Sequence, residues 1–141
     1  MKKVRGYVFS RSFLGERVPQ HVQNIIIRDY CEKNNLHFLL SASEYAMGNS
    51  HLIFTLLLDE LNSIDGIALY SVFQLPIDTE QRELIYKKVL SLGKTLHFCV
   101  EGLKISNNEE KDRIENIWLV KKAMLTIPAE SQIYDINHII V

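Results

Sequence analysis

Four short apolar runs, each ended by a small polar cluster and separated by stretches of helical periodicity, constrain the fold of this chain more than any other feature. The runs are Val4–Phe9, Leu36–Leu40, Ile67–Leu69 and Leu96–Val100. Brief runs of this kind read as strands buried on both faces, and their alternation with helices makes the sheet mostly parallel. In such sheets ligands lie in the crevice outside the carboxyl ends of the strands. That is where the polar clusters fall: Ser10-Arg11-Ser12, Ser41-Ala42-Ser43-Glu44, Tyr70-Ser71 with Gln74 beyond, and Glu101-Gly102. The expected fold is therefore α/β in three layers, a central mostly parallel sheet of about four to five strands with helices on both faces.

The helices carry their own punctuation. Pro19 suits the first turn of a helix, where a missing N–H costs nothing; Val22, Ile25, Ile26 and Tyr30 then recur at helical spacing, and Asn34-Asn35 close the element. A second helix runs from near Asn49-Ser50 to near Asn62-Ser63, with Leu52, Ile53, Leu56, Leu57 and Leu61 along one side. Asp78-Thr79-Glu80 is capping and dipole chemistry for a third, which Gly93 stops. The stretch Asn107–Leu125 opens with acidic residues and ends near Lys121-Lys122, the charge order that a helix dipole favours. Residues 1–127 read as one domain. Residues 128–141, ending in His138-Ile139-Ile140-Val141, read as an apolar extension that adds a strand or joins subunits.

Composition narrows the functional classes. Sixteen basic and seventeen acidic side chains, spread evenly, form no basic stripe, so no nucleic-acid partner is expected. No run is long enough for a membrane span or a signal peptide, and a cytoplasmic protein is expected. Cys31 and Cys99 have neither metal-ligand nor redox spacing and read as buried thiols. His37, His51, His97 and His138 form no ligand pair, so neither a metal nor a cofactor is expected.

Two family resemblances bear on these residues. Gly6-Tyr7-Val8-Phe9-Ser10, Gln23 and the order of strands and helices over roughly the first hundred residues resemble the catalytic domain of serine recombinases of the resolvase–invertase type. Those domains begin with a Gly-Tyr strand ending in a nucleophilic serine, and the resemblance implies a resolvase-like topology. The chain departs from their pattern at the reacting groups. Val72-Phe73-Gln74-Leu75-Pro76-Ile77 stands where they have Leu-Asp-Arg-Leu-Gly-Arg, and Arg11 stands where the nucleophile falls. Phosphoryl transfer depends on cationic stabilisation of the phosphate oxygens, so the lost arginines speak against strand exchange.

Segments GYVFSR (6–11), VPQHVQN (18–24), LLSASEYAM (39–47), YSVFQLP (70–76), HFCVEGLKI (97–105) and ENIWLVKK (115–122) resemble the sporadic carbohydrate cluster proteins of bacteria. That resemblance implies a part in surface-polysaccharide synthesis, binding or converting an anionic sugar derivative: a sugar phosphate, nucleotide sugar or keto-acid sugar. The alternative is a non-catalytic partner of another pathway enzyme, and a DNA-acting recombinase relative ranks last. A homo-oligomer is expected through the fourth helix and the tail.

Within the crevice, Arg11 is the candidate clamp for an anionic group, with an ion pair to Glu16 or Glu44 as its structural alternative. Glu44, Glu101 and His21 are the candidate acid–base groups, since neighbouring carboxylates have their pKa values pushed apart and histidine titrates near neutrality; helix capping is the alternative for all three. Ser10, Gln20, Gln23, Ser43, Tyr70, Ser71 and Gln74 complete the expected substrate-binding set. Trp118, with Ile114 and Ile117, reads as core or subunit interface.

Overall fold

A computed structural model describes residues 1–126; the expected extension lies outside them. Five strands form one sheet: β1 Lys2–Phe9, β2 Leu36–Glu44, β3 Gly66–Leu69, β4 Thr95–Phe98 and β5 Leu103–Ile105. Their spatial order is β2-β1-β3-β4-β5, parallel throughout except for β5 against β4. Four helices accompany them: α1 Gln20–Lys33, α2 Leu52–Glu60, α3 Thr79–Ser91 and α4 Asn108–Leu125.

The two sheet faces are covered unequally. Tyr7, Phe9, Ile67, Leu69, Leu96 and Phe98 pack against α2, α3 and α4 in the larger core, where Phe54, Leu57, Tyr86, Val89, Ile114 and Trp118 are buried. On the opposite face α1 alone sets Ile27 and Cys31 against Val4, Val8, Ala68 and Cys99. Both thiols are thus buried, and desolvation pushes the Cys31 thiol up to about 11.

One irregularity shapes the sheet edge. Between Arg5 and Tyr7 the β1–β2 register slips, from Arg5 opposite Leu39 to Tyr7 opposite Ala42. The bulge lays Ser41 directly over Gly6, where a Cβ would collide with the serine hydroxyl, so only glycine fits beneath it. Arg5 secures the distortion by donating to the Leu40 carbonyl at 2.8 Å and pairing with Glu60 of α2 at 2.6 Å.

The α3–α4 contact centres on Arg82, which is 4% exposed. Its guanidinium pairs with Glu115 through Nε at 2.9 Å and Nη2 at 3.0 Å, donates to the carbonyls of Pro76 and Ile77, and lies over Trp118 at 4.2 Å from the ring centroid. Tyr86 donates its hydroxyl to the same carboxylate. Burial raises the Glu115 pKa, but the bonds from Arg82 and Tyr86 outweigh it and hold the carboxyl low. Breaking a buried pair strands a charge, so Glu115→Ala should destabilise the fold by about 3–5 kcal/mol. A double-mutant cycle with Arg82→Met, read by urea unfolding, should show the two losses to be strongly non-additive. Additive losses would mean that the pair does not act as a unit.

Candidate functional site

From β1 the chain moves to β2 on one side and then to β3 on the other, so the topological switch point lies between β1 and β3. Two buried glutamines fill it. Gln23, in the first turns of α1, and Gln74, which ends the 3-10 turn Val72–Gln74 after β3, are 0% and 1% exposed. Gln23 uses its whole amide. Its Oε1 accepts from the Phe9 N–H at 3.0 Å and from Gln74 Nε2 at 2.9 Å, while its Nε2 donates to the carbonyls of Phe9 at 2.9 Å and Val18 at 2.8 Å. Gln74 Oε1 accepts in turn from the N–H groups of Tyr70 and Ser71, at 3.0 and 3.3 Å. The pair therefore joins the ends of β1 and β3 and does for their last backbone groups what a ladder does for strand interiors.

Glu44 ends β2 and is 2% exposed. Its carboxylate accepts from the Tyr7 hydroxyl at 2.8 Å, the Tyr45 N–H at 3.0 Å, the Ser50 hydroxyl, and the N–H groups of Ile53 and Phe54 at 3.1 Å. The last two are orphan donors of the first turn of α2, which the helix dipole also makes favourable for an anion. Burial pushes the Glu44 pKa up, yet the bonds from Tyr7, Ile53, Phe54 and Tyr45 prevail and leave it lowered. Glu101 has a parallel task after β4, accepting from the Ser71 hydroxyl at 2.8 Å and the Val72 N–H at 3.0 Å.

Arg11 pairs with neither Glu16 nor Glu44. It donates to the carbonyls of Tyr45 and Ser50, each at 2.8 Å, and lies 4.1 Å over the Phe9 ring. Those carbonyls belong to the loop that leads into α2, so the guanidinium ties that loop to the end of β1. Ser10 is exposed, its hydroxyl donating to the Glu44 carbonyl at 3.2 Å, and no basic side chain is hydrogen-bonded to it. Gln20 donates to the Ser43 hydroxyl at 2.6 Å. His21 is exposed on the first turn of α1, and half-buried Tyr70 packs edge-on against Phe13. All eleven candidates thus lie at the carboxyl ends of the strands, and all but Tyr70 fall into two layers. Gln23, Gln74, Glu44, Ser71 and Glu101 bind the protein's own turns, while Ser10, Arg11, Gln20, His21 and Ser43 form the accessible rim.

The fold has counterparts among solved structures. The chain superposes on a resolvase family site-specific recombinase from Streptococcus pneumoniae with a TM-score of 0.61, at 7% identity, over 96% of this chain and 99% of that one. The fold is resolvase-like. The N-terminal catalytic domain of TP901-1 integrase superposes with a TM-score of 0.58, at 11% identity, over 87% of this chain and 99% of that domain. No family profile and no curated protein matches the chain.

These resolvase-like neighbours correct two expectations. The reading as a polysaccharide-pathway protein with an anionic sugar ligand, or as a partner of such an enzyme, finds no carbohydrate protein among them. The expectation of no nucleic-acid partner is overturned by the same neighbours, a recombinase and an integrase domain. Among the described residues no helix is long and apolar enough to cross a membrane, and no cluster of three or more histidine, cysteine or acidic side chains could hold a metal.

Sequence reasoning missed Tyr7 and His51. Tyr7 is fully buried beneath Glu44, and His51 Nε2 lies 2.9 Å from the Gln74 carbonyl while its ring meets Phe9 edge-on. Tyr7 had a signal: a tyrosine on a strand otherwise buried on both faces needs a partner for its hydroxyl. His51 had none.

Proposed function

We propose that this chain binds nucleic acid through the phosphate backbone at the carboxyl ends of β1 and β2, and that it does so without cutting the strand. What carries the reading is the rim of a resolvase-like fold on which Ser10, Arg11, Arg17 and His21 come from one continuous segment joining β1 to α1. Arg17 and His21 are exposed, and Arg17 is in no ion pair among the described residues. Phosphate contacts by such groups position a protein on a duplex without reading its sequence.

Binding without cleavage is supported by the layer beneath. An activated serine needs an adjacent base, and the Ser10 hydroxyl has only a backbone carbonyl. Transition-state charge on a phosphoryl group needs free cations, and both Nη atoms of Arg11 are engaged by carbonyls. Where the recombinase pattern has its arginines, Gln74 faces inward to Gln23.

Fluorescence anisotropy with a labelled duplex should show binding whose logarithm falls with log salt at a slope of roughly −2, as about two phosphate contacts require. Arg17→Ala, exposed and structurally inert, should lower the slope by about one. Absence of salt-dependent binding to both duplex and single-stranded DNA would overturn the proposal.

A further inference from the structure

Away from the crevice, a cavity of about 320 Å³ opens where the strands begin, on the face that α1 covers, and His97 lines it. The volume lies at the lower end of small-molecule sites. His97 is 7% exposed, and its Nδ1 is 2.9 Å from the hydroxyl of Tyr30 on α1. Burial pushes that phenol up to about 12, so it keeps its proton. A phenol is also the stronger donor of the two; it donates to Nδ1 and places the imidazole proton on Nε2. Desolvation, with Lys104 and Lys2 nearby, pushes His97 down to about 4, so the ring is neutral at physiological pH. Nε2 has no hydrogen-bond partner among the described residues, and it is not sealed in, since the one enclosed unpaired side-chain atom among them is Trp118 Nε1 in the opposite core. Its N–H therefore faces the cavity.

The walls supply charge to match. Lys2 of β1, Lys104 of β5 and Arg113 of α4 line the same cavity, and none of them is in an ion pair among the described residues. Two carboxylates also line it, and one oxygen of each is held by a neighbouring segment of chain. Asp65 accepts from the Lys3 N–H at 2.8 Å, and Glu110 accepts from the Ser106 N–H at 2.8 Å and its hydroxyl at 2.6 Å. Three cations and a neutral N–H donor converge from four elements, and Glu110, whose carboxyl burial raises but the Ser106 bonds and then Lys104 and Arg113 hold low, offsets part of their charge.

We propose that this cavity binds a phosphoryl group, with His97 Nε2–H, Lys2, Lys104 and Arg113 as its donors. The cavity's size favours free phosphate or a small nucleotide as the source, and nucleic-acid backbone offers the same chemistry. The site is independent of the crevice at the strand ends.

Nitrogen-15 spectra of the His97 ring, recorded while the protein is titrated with inorganic phosphate and with ADP, test this. A saturable shift of the Nε2 signal with at least one probe, at a Kd below about 1 mM, is expected. Lys104→Gln and Arg113→Gln, both at exposed positions, should each weaken binding by about tenfold, with circular dichroism unchanged. A short DNA duplex added to the phosphate-bound protein separates the sources: displacement names nucleic acid, retention names the free anion, and either upholds the site. A ring signal that stays fixed with both probes up to about 10 mM, or two folded variants that bind as wild type, would overturn it.

Discussion

Gln23→Leu should remove about 3–5 kcal/mol of stability and lower the melting temperature by about 10–20 °C, although leucine matches glutamine closely in volume. The reason is what the amide leaves behind. Without it the Phe9 N–H, the Phe9 and Val18 carbonyls and Gln74 Nε2 each lose a partner, in a place where Gln23 itself is 0% exposed. Each buried unsatisfied group costs about 1–3 kcal/mol, well above the net worth of a typical hydrogen bond. Gln20→Leu supplies the comparison, since it lies three residues earlier and loses one exposed bond to Ser43. It should cost less than about 1 kcal/mol. Thermal unfolding of both variants decides the matter; equal melting temperatures would mean that the glutamine pair does not hold the strand ends.

Glu44→Ala should be of similar severity, about 3 kcal/mol or more, because it deprives Tyr7, Ser50 and the first turn of α2 of their common acceptor. It should also change how stability depends on pH. A carboxyl with a lowered folded pKa binds its proton less readily than in the unfolded chain. Its contribution is therefore complete above the unfolded value of about 4.3 and is lost as pH falls through the folded one. Urea unfolding of the wild type should accordingly show stability falling below about pH 5, and Glu44→Gln should flatten the part of that fall that Glu44 supplies. An unchanged slope would show that this carboxylate gains nothing from its five donors.

Much of this architecture was legible in the residues. The apolar runs marked all four parallel strands, and Pro19, Asp78 and Asn107 marked helix starts that the structure places at Gln20, Thr79 and Asn108. Leu103–Ile105 escaped because three residues beyond a turn are too few to show a period, although Gly102, with φ of 66°, supplies the left-handed corner that sends the chain back antiparallel. The sequence also placed the polar candidates at the strand ends. It did not show which of them face inward. Gln23 and Gln74 lie 51 positions apart, and nothing local distinguishes a glutamine that clasps another from one that meets solvent. Glu44 was legible only as a choice between ligand contact and helix cap; its contacts in the folded chain are those of the cap.

An accessible layer of side chains on the rim and a buried, satisfied layer beneath it form the core of this account: the resolvase-like framework is kept, and the groups nearest Ser10 hold turns together. Incubation with supercoiled and nicked DNA, followed by denaturing electrophoresis, tests that most directly, because a serine that attacks a phosphodiester remains joined to the DNA end. The account predicts no protein–DNA adduct and no strand breaks at concentrations where anisotropy shows the DNA bound. An adduct formed by the wild type and lost in Ser10→Ala would contradict it.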